Sequence, residues 1–199
     1  MNYNKLTSLV ANVEAIETAV QIHVQGRTAT TDEKEILSLY SGFGGIKEVL
    51  NIGTDNPVAD NMTESLNRLE TALRTLAGED GTMYRTLIES IKASVLTAFY
   101  TPQFIVDAVA RQIHTTFKDN NLQMRSFLEP SAGIGGFLPV AMPGTHSYAF
   151  EKDCITGLIL SLLHDDTDTV TAGFETIAGQ GFEHSKFDVI ASNIPFGNF

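Results

Sequence analysis

The 199-residue sequence holds a single cysteine, no tryptophan and six prolines, and its 13 lysines and arginines are outnumbered by 24 aspartates and glutamates. The lone Cys154 excludes an internal disulfide and has no cysteine partner for a zinc cluster, so it reads as a structural residue. No apolar run approaches the roughly 20 residues of a membrane span, and the start, MNYNKLTSLV, lacks the basic and apolar segments of a secretion signal. These absences predict no membrane association and a cytoplasmic location. The five histidines form no nucleophilic or metal-ligating pattern, and His114, His164 and His184 read as solvated or capping residues. Asp165-Asp-Thr-Asp168 lacks the glycine and terminal glutamate of a calcium loop and reads as a polar turn. The net charge of -11 is a poor match for DNA, whose phosphates bind Lys and Arg; acidity of this kind also serves solubility alone.

What is present falls into two halves. Residues 4–25, 62–77 and 82–98 repeat apolar side chains every three or four positions, as amphipathic helices do. A shorter helix follows Thr30, whose pairing with Glu33 fits a capping box, and stops at Tyr40-Ser-Gly-Phe-Gly-Gly45. From about residue 100 the pattern becomes an alternation. Thr101 and Pro102 open a helix through Phe117 as N-cap and first residue. Strands are then predicted at 125–129, 146–150, 168–172 and 187–192, with helices at 134–142 and 153–164. Such alternation predicts an α/β fold with a doubly wound parallel sheet, preceded by an N-terminal helical region over 1–95.

Four segments carry chemistry. Phe127-Leu-Glu-Pro-Ser-Ala-Gly-Ile-Gly-Gly-Phe137 runs a strand into a glycine-rich turn, where Gly133 and Gly135 would let backbone approach a ligand; such glycines also serve packing alone. Leu138 stands where a dinucleotide fingerprint needs a third glycine, which argues against a nicotinamide cofactor. Glu151, ending the next strand, can accept both hydroxyls of a ribose and would repel a 2'-phosphate, or it is an ordinary glutamate near a helix start. Asn193-Ile-Pro-Phe196 follows the last predicted strand. An asparagine oxygen and the Ile194 carbonyl there could accept the two hydrogens of an amine, and Phe196 could stack on a base, although Asn and Pro are also common turn residues. Ala98-Phe-Tyr-Thr-Pro102 precedes the first strand and reads equally as a helix junction.

Taken in this order, with each segment placed against a strand, the sequence resembles the N6-adenine DNA methyltransferases whose cofactor motif precedes an Asn-x-Pro-Phe loop. More closely, it resembles the N-terminal methylase module of large methylase-helicase proteins of phages and mobile elements. Tyr40-Ser-Gly-Phe-Gly-Gly45 and Asn193-Ile-Pro-Phe-Gly-Asn198 carry that second likeness, which covers roughly residues 35–199. The resemblance implies a truncated Rossmann-like methyltransferase domain over 96–199 that binds S-adenosyl-L-methionine. Tyr100, Thr101, Glu129, Pro130, Ser131, Ala132, Gly133 and Gly135 would hold the methionine end, and Glu151 the ribose. Lys152, Phe174 and Glu175 would lie at the cofactor adenine, and Asn193, Ile194, Pro195 and Phe196 at the target amine. Phe43 departs from the family's tryptophan, leaving its segment to pack against the sheet or to approach cofactor or DNA. Members of the family have three further strands and a target-recognition part, so the resemblance implies an inactive fragment whose DNA contacts, and a helicase region, are supplied elsewhere. An open sheet edge would then be available for self-association. Two alternatives stay open: another amino acceptor, such as protein glutamine or an RNA base, and a non-catalytic scaffold.

Overall fold

The computed structural model describes residues 4–54, 59–97, 100–180 and 187–194. The chain divides into two compact units, Met1–Phe99 and Tyr100–Phe199.

In the first unit, helices α1 (Lys5–Gln25), α2 (Thr31–Ser38), α3 (Asp60–Ala77) and α4 (Gly81–Thr97) form where the apolar spacing predicts them. Leu9, Val13, Ile16 and Val20 recur along one face of α1 and are buried with Leu66, Leu69 and Leu73 of α3. The expected capping box forms around Thr30 and Glu33, and Arg27 forks onto the Glu33 carboxylate at 2.7 and 2.5 Å. The glycine segment is built into this unit. Asn12 of α1, fully buried, donates to the Gly42 carbonyl at 2.5 Å and accepts from the Ser41 amide at 2.8 Å. Gly45 donates to the Val95 carbonyl of α4 at 3.2 Å, while Phe43 is fully buried with its ring edge-on to Tyr40. Phe43 therefore serves packing within this unit.

The second unit is a mixed α/β structure. Helix α5 (Gln103–Asp119) leads to β1 (Ser126–Glu129), β2 (His146–Phe150), α6 (Cys154–Leu163), β3 (Asp168–Val170) and β4 (Val189–Ile190). The four strands are all parallel, in the order β3-β2-β1-β4. Phe127, Ala149 and Leu160 are buried in one core with Val106 of α5 and Phe137, Leu138 and Val140 of the segment after β1. Two local expectations fail. Pro102, not Thr101, is the α5 N-cap, and the helix has no side-chain cap, since Pro102 has no side-chain acceptor to offer. The helix expected over 134–142 shrinks to a 3-10 turn, Leu138–Val140, because Gly135 sits at φ +89° and Pro139 has no amide hydrogen to donate.

Candidate functional site

After β3 is reached by successive crossovers on one side of β1, the chain returns to pair β4 on its other side. That reversal puts a crevice at the carboxyl ends of β1 and β4, the place where ligands enter open parallel sheets. Described residues of all four segments singled out in the sequence converge there.

Glu129 closes β1. It is 1 % exposed; its Oε1 accepts from the Phe137 amide at 3.0 Å, and its Oε2 has no hydrogen-bond partner. Burial pushes this carboxyl up to about 8, against the lowering pull of the Phe137 and Leu138 amides, and the nearby Glu151 charge adds to the rise. Beyond it the turn bends tightly: Ala132 donates to the Phe150 carbonyl at 2.9 Å and Gly135 to the Ala132 carbonyl at 2.8 Å. Gly133 is at φ +57°, where an L side chain is disfavoured.

Both turn glycines are held close by neighbouring rings. A Cβ at Gly133 would stand 2.7 Å from Tyr100 Cε1, and one at Gly135 would stand 2.6 Å from His164 Nε2. The His164 ring, at the C-cap of α6, bonds the Ile134 carbonyl at 2.9 Å. His164 had no sequence signal as a site residue; the fold recruits it because α6 ends beside the turn.

Glu151 anchors the opposite flank. Its Oε2 accepts from the Gly133 amide at 2.7 Å and its Oε1 from the Asp153 amide at 2.8 Å, so the carboxylate ties β2 to the glycine turn. Burial raises its pKa, opposed by those amides. Asp153 caps α6 by accepting from the Thr156 amide at 2.7 Å. The hydroxyl of Tyr100 is oriented to this flank. Burial of that end is the main cause of its raised pKa, followed by the Glu151 and Asp153 charges, with Thr156 bonding in opposition. The residue as a whole still leaves 36 % of its surface exposed, so the ring spans from solvent to the enclosed carboxylates. Its ring thus lies beside Gly133 while its hydroxyl feels the Glu151 and Asp153 charges.

Beyond Glu151, Phe174 packs edge-on against Phe150 at 5.7 Å, and Lys152 Nζ lies 3.6 Å from Glu175 Oε1, both groups exposed. On the β4 side, Ala191 donates to the Leu128 carbonyl at 3.1 Å and the Ser192 hydroxyl to the Ser131 carbonyl at 3.0 Å. That second bond clamps the loop holding half-buried Asn193 to the turn holding Ser131; Ile194 is exposed. Pro130 and Ser131 are half-buried and Ala132 is buried within the same turn. Thr101 is half-buried just before α5. Pro195 and Phe196 lie outside the described residues. Among the described residues, no group of three or more His, Cys, Asp or Glu side chains could hold a metal ion, and no helix is long and apolar enough to cross a membrane.

Comparison with known proteins gives a distant likeness. The chain is 25 % identical over 187 residues to the Defense against restriction protein B of Escherichia phage P1. The match takes in 94 % of this chain but only 6 % of that relative's length. No family model matches the sequence, and no solved structure matches it.

Proposed function

We propose that this chain carries the cofactor site and catalytic loop of an S-adenosylmethionine-dependent methyltransferase acting on N6 of adenine in DNA. The observation that carries the reading is the convergence of Glu129, the Gly133 turn, Glu151 and the Asn193 loop at one end of the sheet, joined by the Gly133–Glu151 and Ser131–Ser192 hydrogen bonds. The donor set suits the cofactor. The Glu151 oxygens accept from the Gly133 and Asp153 amides, and a carboxylate's further lone pairs suit ribose hydroxyls. Glu129 keeps an unpartnered buried oxygen between the turn and β4, where a positively charged methionine end would be matched.

When bound, S-adenosylmethionine supplies a methyl group activated by a sulfonium. The chain's own residues do the rest. Asn193 and the Ile194 carbonyl accept the hydrogens of the target amine, favouring a tetrahedral nitrogen whose lone pair is aimed at the methyl. Phe196 is assigned to stacking on the displaced base. Lys152, Phe174 and Glu175 would border the cofactor adenine.

The similar phage protein is named for defence against restriction, which concerns DNA but not a particular chemistry. A methyl on N6 replaces a hydrogen-bond donor that proteins read in the major groove, which is how modification hides a site from a restriction enzyme. DNA contacts, a helicase region and the target-reading part are assigned to sequence outside this chain. Calorimetry with S-adenosylmethionine tests the site: saturable binding is expected, lost in Glu151→Ala. No binding by the wild type would leave a scaffold as the role. Transfer of labelled methyl groups by the parent protein should mark adenine in DNA, and label confined to protein or RNA would overturn the choice of acceptor.

A further inference from the structure

Glu129 is an unusual place for a charge. Its carboxyl is enclosed, one oxygen accepts from the Phe137 amide with the Leu138 amide also acting on the carboxyl, and the other oxygen has no hydrogen-bond partner. The charge that acts on it is Glu151, of the same sign. Around the same turn, His164 of the α6 C-cap bonds the Ile134 carbonyl and His114 of α5 bonds the Val140 carbonyl, while Lys152 and Glu175 pair with each other in solvent. An ionised carboxylate with one unsatisfied buried oxygen and, among the described residues, no cation paired to it is costly, and a neutral acid is the cheaper state.

Building on the methyltransferase reading, we propose that Glu129 carries a proton in the free protein and releases it when the cationic methionine end of the donor arrives, so that cofactor binding and proton release are one event. The O–H bond of the acid breaks, the proton passes to buffer, and the carboxylate left behind pairs with the incoming positive charge. Position supports the assignment: Glu129 follows Leu128, which pairs with Ile190, and so lies between the glycine turn and the strand leading to Asn193. The raised pKa of this carboxyl fits the same picture.

The sign is fixed by linkage. A group protonated in the free protein and ionised in the complex makes affinity rise with pH until the free-state pKa is passed. Calorimetric titration of S-adenosylmethionine into the whole chain near pH 7, in two buffers of different ionisation heat, should show release approaching about one proton per site. Affinity should rise nearly tenfold per pH unit below about pH 8 and then flatten. The α-amino group of the ligand itself titrates near pH 8, so the comparison is with Glu129→Gln, which keeps the shape and lacks the proton. In that variant the release should fall to the ligand's own contribution and the slope should disappear. Independently of any variant, the infrared difference spectrum of the wild type should lose a protonated-carboxyl C=O band on binding.

Equal proton release from wild type and Glu129→Gln, or no loss of that band, overturns the proposal while leaving the methyltransferase reading standing. Failure of the wild type to bind at any pH between about 6 and 9 overturns both. S-adenosylhomocysteine, which has the ammonium without the sulfonium, identifies the partner: equal release implicates the ammonium, and release with the donor alone implicates the sulfonium. Either result supports the proposal.

Discussion

Asn12 uses both ends of its amide on backbone that has no other helix or strand to satisfy it, the Ser41 N–H and the Gly42 carbonyl. Asn12→Leu would fill similar space and leave the Gly42 carbonyl unpaired in the interior, while exposed Ser41 can turn to water. A loss of about 1–3 kcal/mol in chemical denaturation is expected. Gly133→Ala meets two obstacles at once, a positive φ and the Tyr100 ring 2.7 Å from the new methyl. The turn must shift, so weaker cofactor binding and a small loss of stability, about 1–2 kcal/mol from the backbone alone, are the expected results of titration and melting. Glu129→Gln should be more stable than wild type at alkaline pH. The wild-type carboxyl has a folded pKa near 8 against 4.5 ordinarily, so its stability contribution is present below about pH 4.5 and is lost as pH rises through 8. Melting temperatures of the two proteins should separate across that window. At this scale the sequence revealed Glu129 and Glu151, because a carboxylate ending a strand has few places to go. It did not reveal His164 or the direction of Tyr100, since those depend on where α6 ends and how the chain before α5 lies against the turn, neither of which leaves a local pattern.

Helix α6 shows how closely an element can be tied to its neighbours. Its N-terminus is capped by Asp153, and a Cβ on Gly157 would come within 2.6 Å of Thr171 Oγ1. Asp153→Ala should cost about 1 kcal/mol through the lost cap. Gly157→Val should cost more, because the helix would have to lift from the chain leaving β3; thermal melting orders the two variants. Element positions were largely legible: α1, α3, α4, β1 and β2 lie within a residue or two of their periodic segments. The helix expected over 134–142 misled because its apolar residues fit a helical face while Gly135 takes a positive φ and Pro139 lacks an amide hydrogen. The strand expected over 187–192 pairs only at Val189 and Ile190, since pairing with β1 runs out where the loop turns toward Ser131.

Across the whole molecule, charge and cation placement argue against this chain gripping DNA by itself. The net charge is -11, and Arg27, Arg68 and Arg74 are each engaged with a carboxylate, those of Glu33, Glu17 and Glu70. A guanidinium already forked onto a carboxylate has little left for a phosphate. Non-specific DNA affinity of the isolated chain should be weaker than about 10⁻⁴ M at physiological salt, measured by filter binding; tight, salt-sensitive binding would contradict that placement. Whole-molecule class was legible from the switch between helical and alternating patterns, whereas the convergence of the cofactor turn and the Asn193 loop required the β1–β4 pairing, which joins residues some 62 positions apart. That same pairing sets an order of assembly. On a ribosome adding about 5–20 residues per second, β1, β2 and β3 can zip together while β4 is still to be made, and the glycine bend with Glu151 takes shape first. The Asn193 loop follows them, on a ladder of two residues, so the site proposed here closes only after the glycine bend has formed.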